Sequence, residues 1–164
     1  MGIFIQKKKV SNILRKFIAP VEIAVNSAGE VISEFVIKKA TTIPFDFVLE
    51  RLDSLSPIVK PMFGCFAIYV GEKMVLILRN RKDYERDNGV WIATSAAHHS
   101  DLKRLFPGMR PVELLGPKTT AWQNLPAEAE DFEESVMRAC ELVLKNDPRI
   151  GKIPKQKKKP VRKR

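Results

Sequence analysis

Two apolar runs in the middle of the chain, 65–70 and 74–78, are separated only by Gly71-Glu72-Lys73. Both are rich in β-branched and aromatic residues, and a short break containing Gly between such runs predicts a β-hairpin. Neither run alternates apolar with polar. Cys65, Ala67 and Tyr69 would face one way, and Phe66, Ile68 and Val70 the other. A strand apolar on both faces is covered on both, so the hairpin is expected in the middle of a sheet.

Upstream, Phe45, Val48, Leu49, Leu52 and Leu55 recur at helical spacing. They predict an amphipathic helix that ends before Pro57 and covers one face of the hairpin, with Thr42 as its cap and Pro44 in its first turn. Downstream, the charged stretch 80–89 ends in Asn-Gly and is expected to be an exposed loop. Val90 to Ala93 reads as a short strand. Thr94 or Ser95 then caps a helix over 96–106, with Ala97, Leu102, Leu105 and Phe106 on its apolar side, stopped by Pro107-Gly108. Residues 112–115 read as a strand, 116–120 as a turn and 121–125 as a strand carrying Trp122. Asp131 with Glu134 fits a capping box. Phe132, Val136, Ala139, Cys140 and Val143 line one face of the helix that follows. Acidic residues at its start and Lys145 at its end suit the helix dipole, and Asn146-Asp147-Pro148 stops it.

The fold class expected from this order is α+β. The prediction is a single domain over 44–151, a mostly antiparallel sheet with a central hairpin packed by about three helices. An N-terminal extension (1–43) and a disordered basic tail (152–164) flank it. In the extension, Val10, Ile13, Leu14, Phe17 and Ile18 suggest a short basic amphipathic helix stopped by Pro20. Two further runs around 26–30 suggest a looser hairpin. The segment reads as a membrane-surface or partner-binding helix, as an accessory element on the main fold, or as an extension without fixed structure.

Charge narrows the picture. The net charge of +10 invites a nucleic-acid reading, but it is not evenly spread. Residues 44–151 carry 14 basic and 16 acidic side chains, net −2. Residues 1–43 carry 7 basic and 3 acidic, and 152–164 carry 8 basic and none acidic. The basicity therefore lies at the ends, which points to a basic tail rather than a basic fold. Cys65 and Cys140 stand far apart in apolar contexts and read as reduced core cysteines. No apolar run is long enough to span a bilayer. At the N-terminus the apolar residues precede the lysines, the reverse of a signal peptide, so a cytoplasmic location and no membrane association are expected.

Catalytic and metal signals are weak. His98-His99 point about 100° apart on a helix, which does not suit one metal ion, and no carboxylate or cysteine has ligand spacing to them. Ser95 and Ser100 nearby lack an elbow or an oxyanion turn. The carboxylates of 128–134 serve a helix start. No phosphate-binding or dinucleotide-binding glycine motif is present. No enzymatic activity, cofactor or metal is expected. For nucleic acid, one candidate surface is the tail, with Lys152, Lys155, Lys157, Lys158, Lys159, Arg162, Lys163 and Arg164 as phosphate-binding residues. Its bland alternative is a solubilising tail. The other is the scatter of Arg79, Arg81, Lys82, Arg86, Lys103, Arg104 and Arg110, which is interleaved with acids and reads better as solvated surface.

Pro61-Met62-Phe63-Gly64 followed by the apolar hairpin, with the helix before it, resembles the N-terminal domain of the TfoX/Sxy family of bacterial competence regulators. There a Met-Phe-Gly stretch, often with another Gly, precedes a hairpin of the same kind, and here Cys65 stands in the second-Gly place. Trp122 and the helix after it look more like the related YjbR (MmcQ-like) proteins. The likeness spans about 44–151. It implies a non-enzymatic protein linked to transcription, with a transcription-associated protein as partner, while DNA or RNA is expected as partner through the basic tail. The two-domain relatives carry a C-terminal helical domain, where this sequence has only the basic tail. The alternative is a protein-interaction module, able to dimerise, whose tail is incidental. Gly64 is expected to mark a tight bend or a close backbone approach.

Overall fold

A computed structural model describes residues 42–116 and 121–154. Apart from Thr42 they belong to one compact unit, Ile43–Arg164. The elements expected before residue 42, the turn at 117–120 and the tail beyond residue 154 lie outside the described residues.

The unit is α+β. Helix α1 (Phe47–Leu52) leads into strands β1 (Ile58–Met62), β2 (Cys65–Val70), β3 (Lys73–Arg79) and β4 (Gly89–Ala93). Helix α2 (His99–Leu105), strands β5 (Arg110–Pro111) and β6 (Trp122–Pro126), and helix α3 (Phe132–Leu144) complete the helices and strands of the described residues. The six strands form one sheet in the order β1-β2-β3-β4-β6-β5, with every neighbouring pair antiparallel. The expected hairpin is β2–β3, the second and third strands, closed by the two-residue loop Gly71-Glu72.

Register places two rows of side chains on opposite faces. Phe66, Leu78, Val90 and Leu125 stand opposite one another across four strands, as do Ile68, Leu76 and Ile92. All seven are buried. A bulge between β2 and β3 makes Val75 the extra residue, and Val75, Val70 and Ile150 line one small cleft with Val143 of α3. This is therefore the helix-covered face. The other face carries the row Ala67, Ile77, Trp91, Asn124 and Arg110, running from apolar to polar across the sheet. Cys65, Ala67, Ile77, Trp91 and Val112 form one buried cluster there.

The apolar periodicity of α3 holds at every expected position: Phe132, Val136, Ala139, Cys140 and Val143 are all buried. Fully burying one such aliphatic or aromatic side chain contributes about 1.5–3 kcal/mol. At its start the expected capping box does not form. Asp131 occupies the N-cap position without a side-chain cap bond, and its carboxylate instead accepts from Ser135 Oγ at 2.8 Å.

Other expectations shift at their edges. The first helix starts at Phe47, so Asp46 takes the N-cap position that Thr42 was expected to fill, and its last turn, Asp53–Leu55, tightens to 3-10 geometry. Phe45 stands before the helix at φ +54°, its ring 5.0 Å from that of Phe132 in an edge-to-face contact. The second helix opens as a 3-10 turn over Ala96–His98, leaving Ala97 exposed, while Leu102 and Phe106 are buried. Thr94 does not cap it; its hydroxyl donates to the Arg149 carbonyl at 2.7 Å. Strand β1 was not expected, because Lys60 and Pro61 interrupt its pattern and only Val59 is buried. As an edge strand it tolerates Pro61, which has no N–H to offer a neighbour. The strand expected at 112–115 is a 3-10 turn over Glu113–Leu115, and β5 lies just before it. The stretch 80–89 is not merely an exposed loop, since it buries Asp87 in the 3-10 turn Glu85–Asp87.

Candidate binding site

Register between β1 and β2 pairs Met62 with Cys65, leaving Phe63-Gly64 as a two-residue turn. Both residues have positive φ, +50° and +75°. That is the signature of the hairpin turn whose twist matches its strands, and it is natural for Gly and strained for Phe. The Phe63 ring is 93 % exposed. Gly64 meets both sequence expectations, a tight bend and a close approach. A Cβ built on it would lie 1.6 Å from Nη1 of Arg81, so the guanidinium occupies the space that a side chain would need. Arg81 Nη1 also donates to the Phe63 carbonyl at 3.5 Å, and its Nε donates to Asp83 Oδ1 at 2.6 Å.

Arg79, the last residue of β3, is 0 % exposed. Burying a charge is costly unless it is paired and hydrogen-bonded. Its Nη2 donates to the Asp83 carbonyl at 2.6 Å and lies 3.5 Å from the Asp83 carboxylate. Its Nη1 donates to Asn88 Oδ1 at 3.3 Å. Asn88 in turn clips the loop, accepting from Arg81 N and donating to Arg81 O, both at 2.8 Å. The Nε of Arg79 is buried with no partner among the described residues.

Asp87, also 0 % exposed, joins three elements. Its carboxylate accepts from the backbone N–H groups of Glu113 and Leu114 at 3.0 and 2.7 Å, and from Arg110 Nη1 at 3.4 Å. Its carbonyl accepts from Trp91 Nε1 at 2.8 Å. Asp87 thus caps the 3-10 turn that holds Leu114 and Leu115 beside the sheet.

These elements enclose a cavity of about 320 Å³ on the face opposite the helices. Cys65, Ile77 and Trp91 contribute from the strands, and Met62, Phe63, Leu114, Leu115 and Trp122 from around them. Arg79, Arg81 and Asp83 form its polar end. Burial pushes the Cys65 thiol above its ordinary pKa, and the nearby Arg79 and Arg81 do not reverse that. Cys65 is therefore a protonated wall residue at neutral pH rather than a nucleophile.

A larger cleft, about 770 Å³, lies between α2 and β5 and includes His99, Ser100, Lys103, Arg110 and Gln123. Its cations have partners in the fold. Lys103 donates to the Met109 carbonyl, and Arg110 lies within 3.7 Å of Asp87, Glu113 and Glu128. Burial, with His98 beside it, pushes the His99 imidazole toward its neutral form. Among the described residues no three His, Cys, Asp or Glu side chains come together as a metal site, and no helix is long and apolar enough to cross a membrane.

Of the expected tail residues, Lys152 belongs to the fold. Its backbone exchanges two hydrogen bonds with Met74, both 2.9 Å, and Gly151 N donates to Ala93 O at 2.8 Å. The disordered tail expected from residue 152 therefore starts too early, because buried Ile150 and these bonds hold the chain on the sheet. Lys155, Lys157, Lys158, Lys159, Arg162, Lys163 and Arg164 lie outside the described residues. The basic scatter does not form one solvated surface. Arg79 is internal and Arg110 is mostly buried, while Arg81, Lys82, Arg86, Lys103 and Arg104 are exposed. Sequence reasoning singled out Met62-Phe63-Gly64, read Arg79 as solvated surface, and missed Asp87, Leu114 and Leu115. The available signals were an arginine closing an apolar strand and a loop rich in Asp and Asn.

Fold and cavity together define an α+β domain with an all-antiparallel sheet and a small amphipathic cavity at its hairpin end. Comparison of the chain with known protein families, with curated proteins and with solved structures gave no match.

Proposed function

We propose that the protein is a non-enzymatic, TfoX/Sxy-like accessory factor of the cytoplasm that associates with nucleic acid through its basic tail. The observation that carries this reading is where positive charge is left unneutralised. The described residues contain eight arginines, and each has a carboxylate oxygen within 3.5 Å. The folded body thus spends its guanidinium groups internally. Beyond residue 154 seven basic residues follow with no acidic one, from a root fastened to Met74. Such a run binds phosphate by counterion release. The family likeness rests on Pro61-Met62-Phe63-Gly64 and favours a link to transcription.

A second reading, a protein-interaction module that dimerises or docks a transcription-associated protein, is favoured by Phe63. This aromatic ring is exposed although its turn costs strain.

Gel-shift affinity for single-stranded nucleic acid at several salt concentrations tests the first reading. The full chain is compared with one ending at Pro154, a cut that preserves the Lys152 anchor. If all seven tail charges engage, the log–log salt slope is about −5. Truncation should remove that dependence and the binding. Equal binding by both chains overturns the tail as the contact, and no binding by either at low salt overturns the association altogether and leaves the Phe63 reading.

A further inference from the structure

We infer that the cavity beside the Phe63-Gly64 turn is a binding site for a small amphipathic carboxylate. Its anionic head would sit against the Arg79–Arg81 end, and its apolar body against Cys65, Ile77 and Trp91. Nothing in this assignment requires the tail to hold phosphate.

Three observations converge. The first is an orphan donor. Arg79 is fully buried, lines the cavity, and has an Nε–H without a partner among the described residues. A buried donor left unmade is expensive. Arg79 has no surface open to a water-sized molecule, so an acceptor reaches it only if the loop of 80–88 shifts, and the direct contact of the head is with Arg81. The second is charge. Two guanidinium groups, Arg79 and Arg81, share the single carboxylate of Asp83, at 3.5 and 2.6 Å. One positive charge therefore remains at this end, which matches a monoanion rather than a phosphate dianion. A planar guanidinium also matches the geometry of a carboxylate. The third is the rest of the wall, which is aliphatic, aromatic and thiol, in a volume of about 320 Å³. That is at the small end of ligand pockets, which combine apolar walls with a few placed polar groups. It suits a ring or a short alkyl chain.

The turn sequence serves this site. Gly64 leaves room for the Arg81 guanidinium, and Met62 and Phe63 stand at the cavity edge. The loop of 80–88 brings Asp83 to hold both arginines in place.

The two tryptophans of the chain, Trp91 and Trp122, both line the cavity, so intrinsic fluorescence reads it directly. The full-length chain is titrated with phenylacetate and octanoate, with phenylacetamide and octanamide as neutral matches, and with inorganic phosphate. A saturable change of emission with a carboxylate is expected, with the matching amide at least about tenfold weaker, the effect of losing one charge-assisted hydrogen bond. Phosphate should leave the emission unchanged. Arg79→Met is the obvious variant but risks unfolding the loop. Arg81→Gln, at a half-exposed position, keeps the fold testable and should bring carboxylate and amide to equal affinity. No saturable change with either carboxylate overturns the site. Equal binding of carboxylate and amide to the unaltered chain, or full carboxylate selectivity retained by Arg81→Gln, overturns the assignment of the anionic head.

Discussion

At the scale of single residues, two buried charges decide how the loop after β3 is built. Asp87 is fully enclosed and answers two backbone N–H groups and one guanidinium. Asp87→Ala would leave those donors facing an empty space, and the cost of breaking such a buried set is about 3 kcal/mol. The expected outcome is a lower urea midpoint with an unchanged slope, together with altered Trp91 emission, since Trp91 donates to the Asp87 carbonyl. Asp87→Asn keeps acceptor capacity and should lose less. An unaltered midpoint in Asp87→Ala would show that the network contributes nothing to stability. In the sequence, Asp87 looks like every other charge in 80–89. Its acceptor role depends on Arg110, Glu113 and Leu114, more than twenty residues away, and no local pattern encodes that pairing.

At the scale of elements, the two hairpin turns invite a direct comparison. Gly71 opens the β2–β3 turn at φ +59°, and a Cβ there would meet nothing among the described residues within 4 Å. Gly64 sits in the β1–β2 turn at φ +75° with the Arg81 guanidinium in the place of a Cβ. Gly71→Ala should therefore cost only backbone strain, about 1 kcal/mol. Gly64→Ala carries the same strain and must also displace Arg81, so thermal denaturation should show it as the more destabilised of the two. Equal melting temperatures would remove the Arg81 contact from the account of Gly64. The elements with a strong period, β2, β3 and α3, were legible because periodicity is a local property of the chain. Strand β1 was not, because an edge strand with one buried residue has almost no period to read. The 3-10 turn at Glu113–Leu115 read as a strand because three apolar residues in four give no evidence of which geometry holds them.

For the whole molecule, the described chain is closed at its C-terminal end by a clip rather than by a helix. After α3, Ile150 is buried, Thr94 Oγ1 donates to the Arg149 carbonyl, and Lys152 pairs with Met74. Arg149 also grips Asp147 through two side-chain bonds, at 2.9 and 2.7 Å. Its guanidinium is the main reason the Asp147 carboxyl lies below its ordinary 3.8, at about 2. A carboxylate lowered by folding stabilises the fold above its unfolded pKa and loses that contribution as pH falls through the folded value. The clip therefore acts fully above about pH 4 and fades toward pH 2. Asp147→Asn should melt about 2 °C lower than the unaltered chain at pH 7. The two melting curves should converge near pH 2, and a gap that persists there would place the effect outside the ion pair.

The sequence alone was enough for the α+β class, the hairpin, the buried face of α3 and the concentration of basic charge at the chain ends, since each follows from local periodicity or from counting. It also singled out Pro61-Met62-Phe63-Gly64. Only the tertiary structure decided that this turn borders a cavity with a buried arginine at one end, that Asp87 ties a distant 3-10 turn over the sheet, and that Lys152 belongs to the fold. Each of these depends on strand register and on polar groups brought together from distant parts of the chain. Their low energy exists only once water has been excluded around the pair.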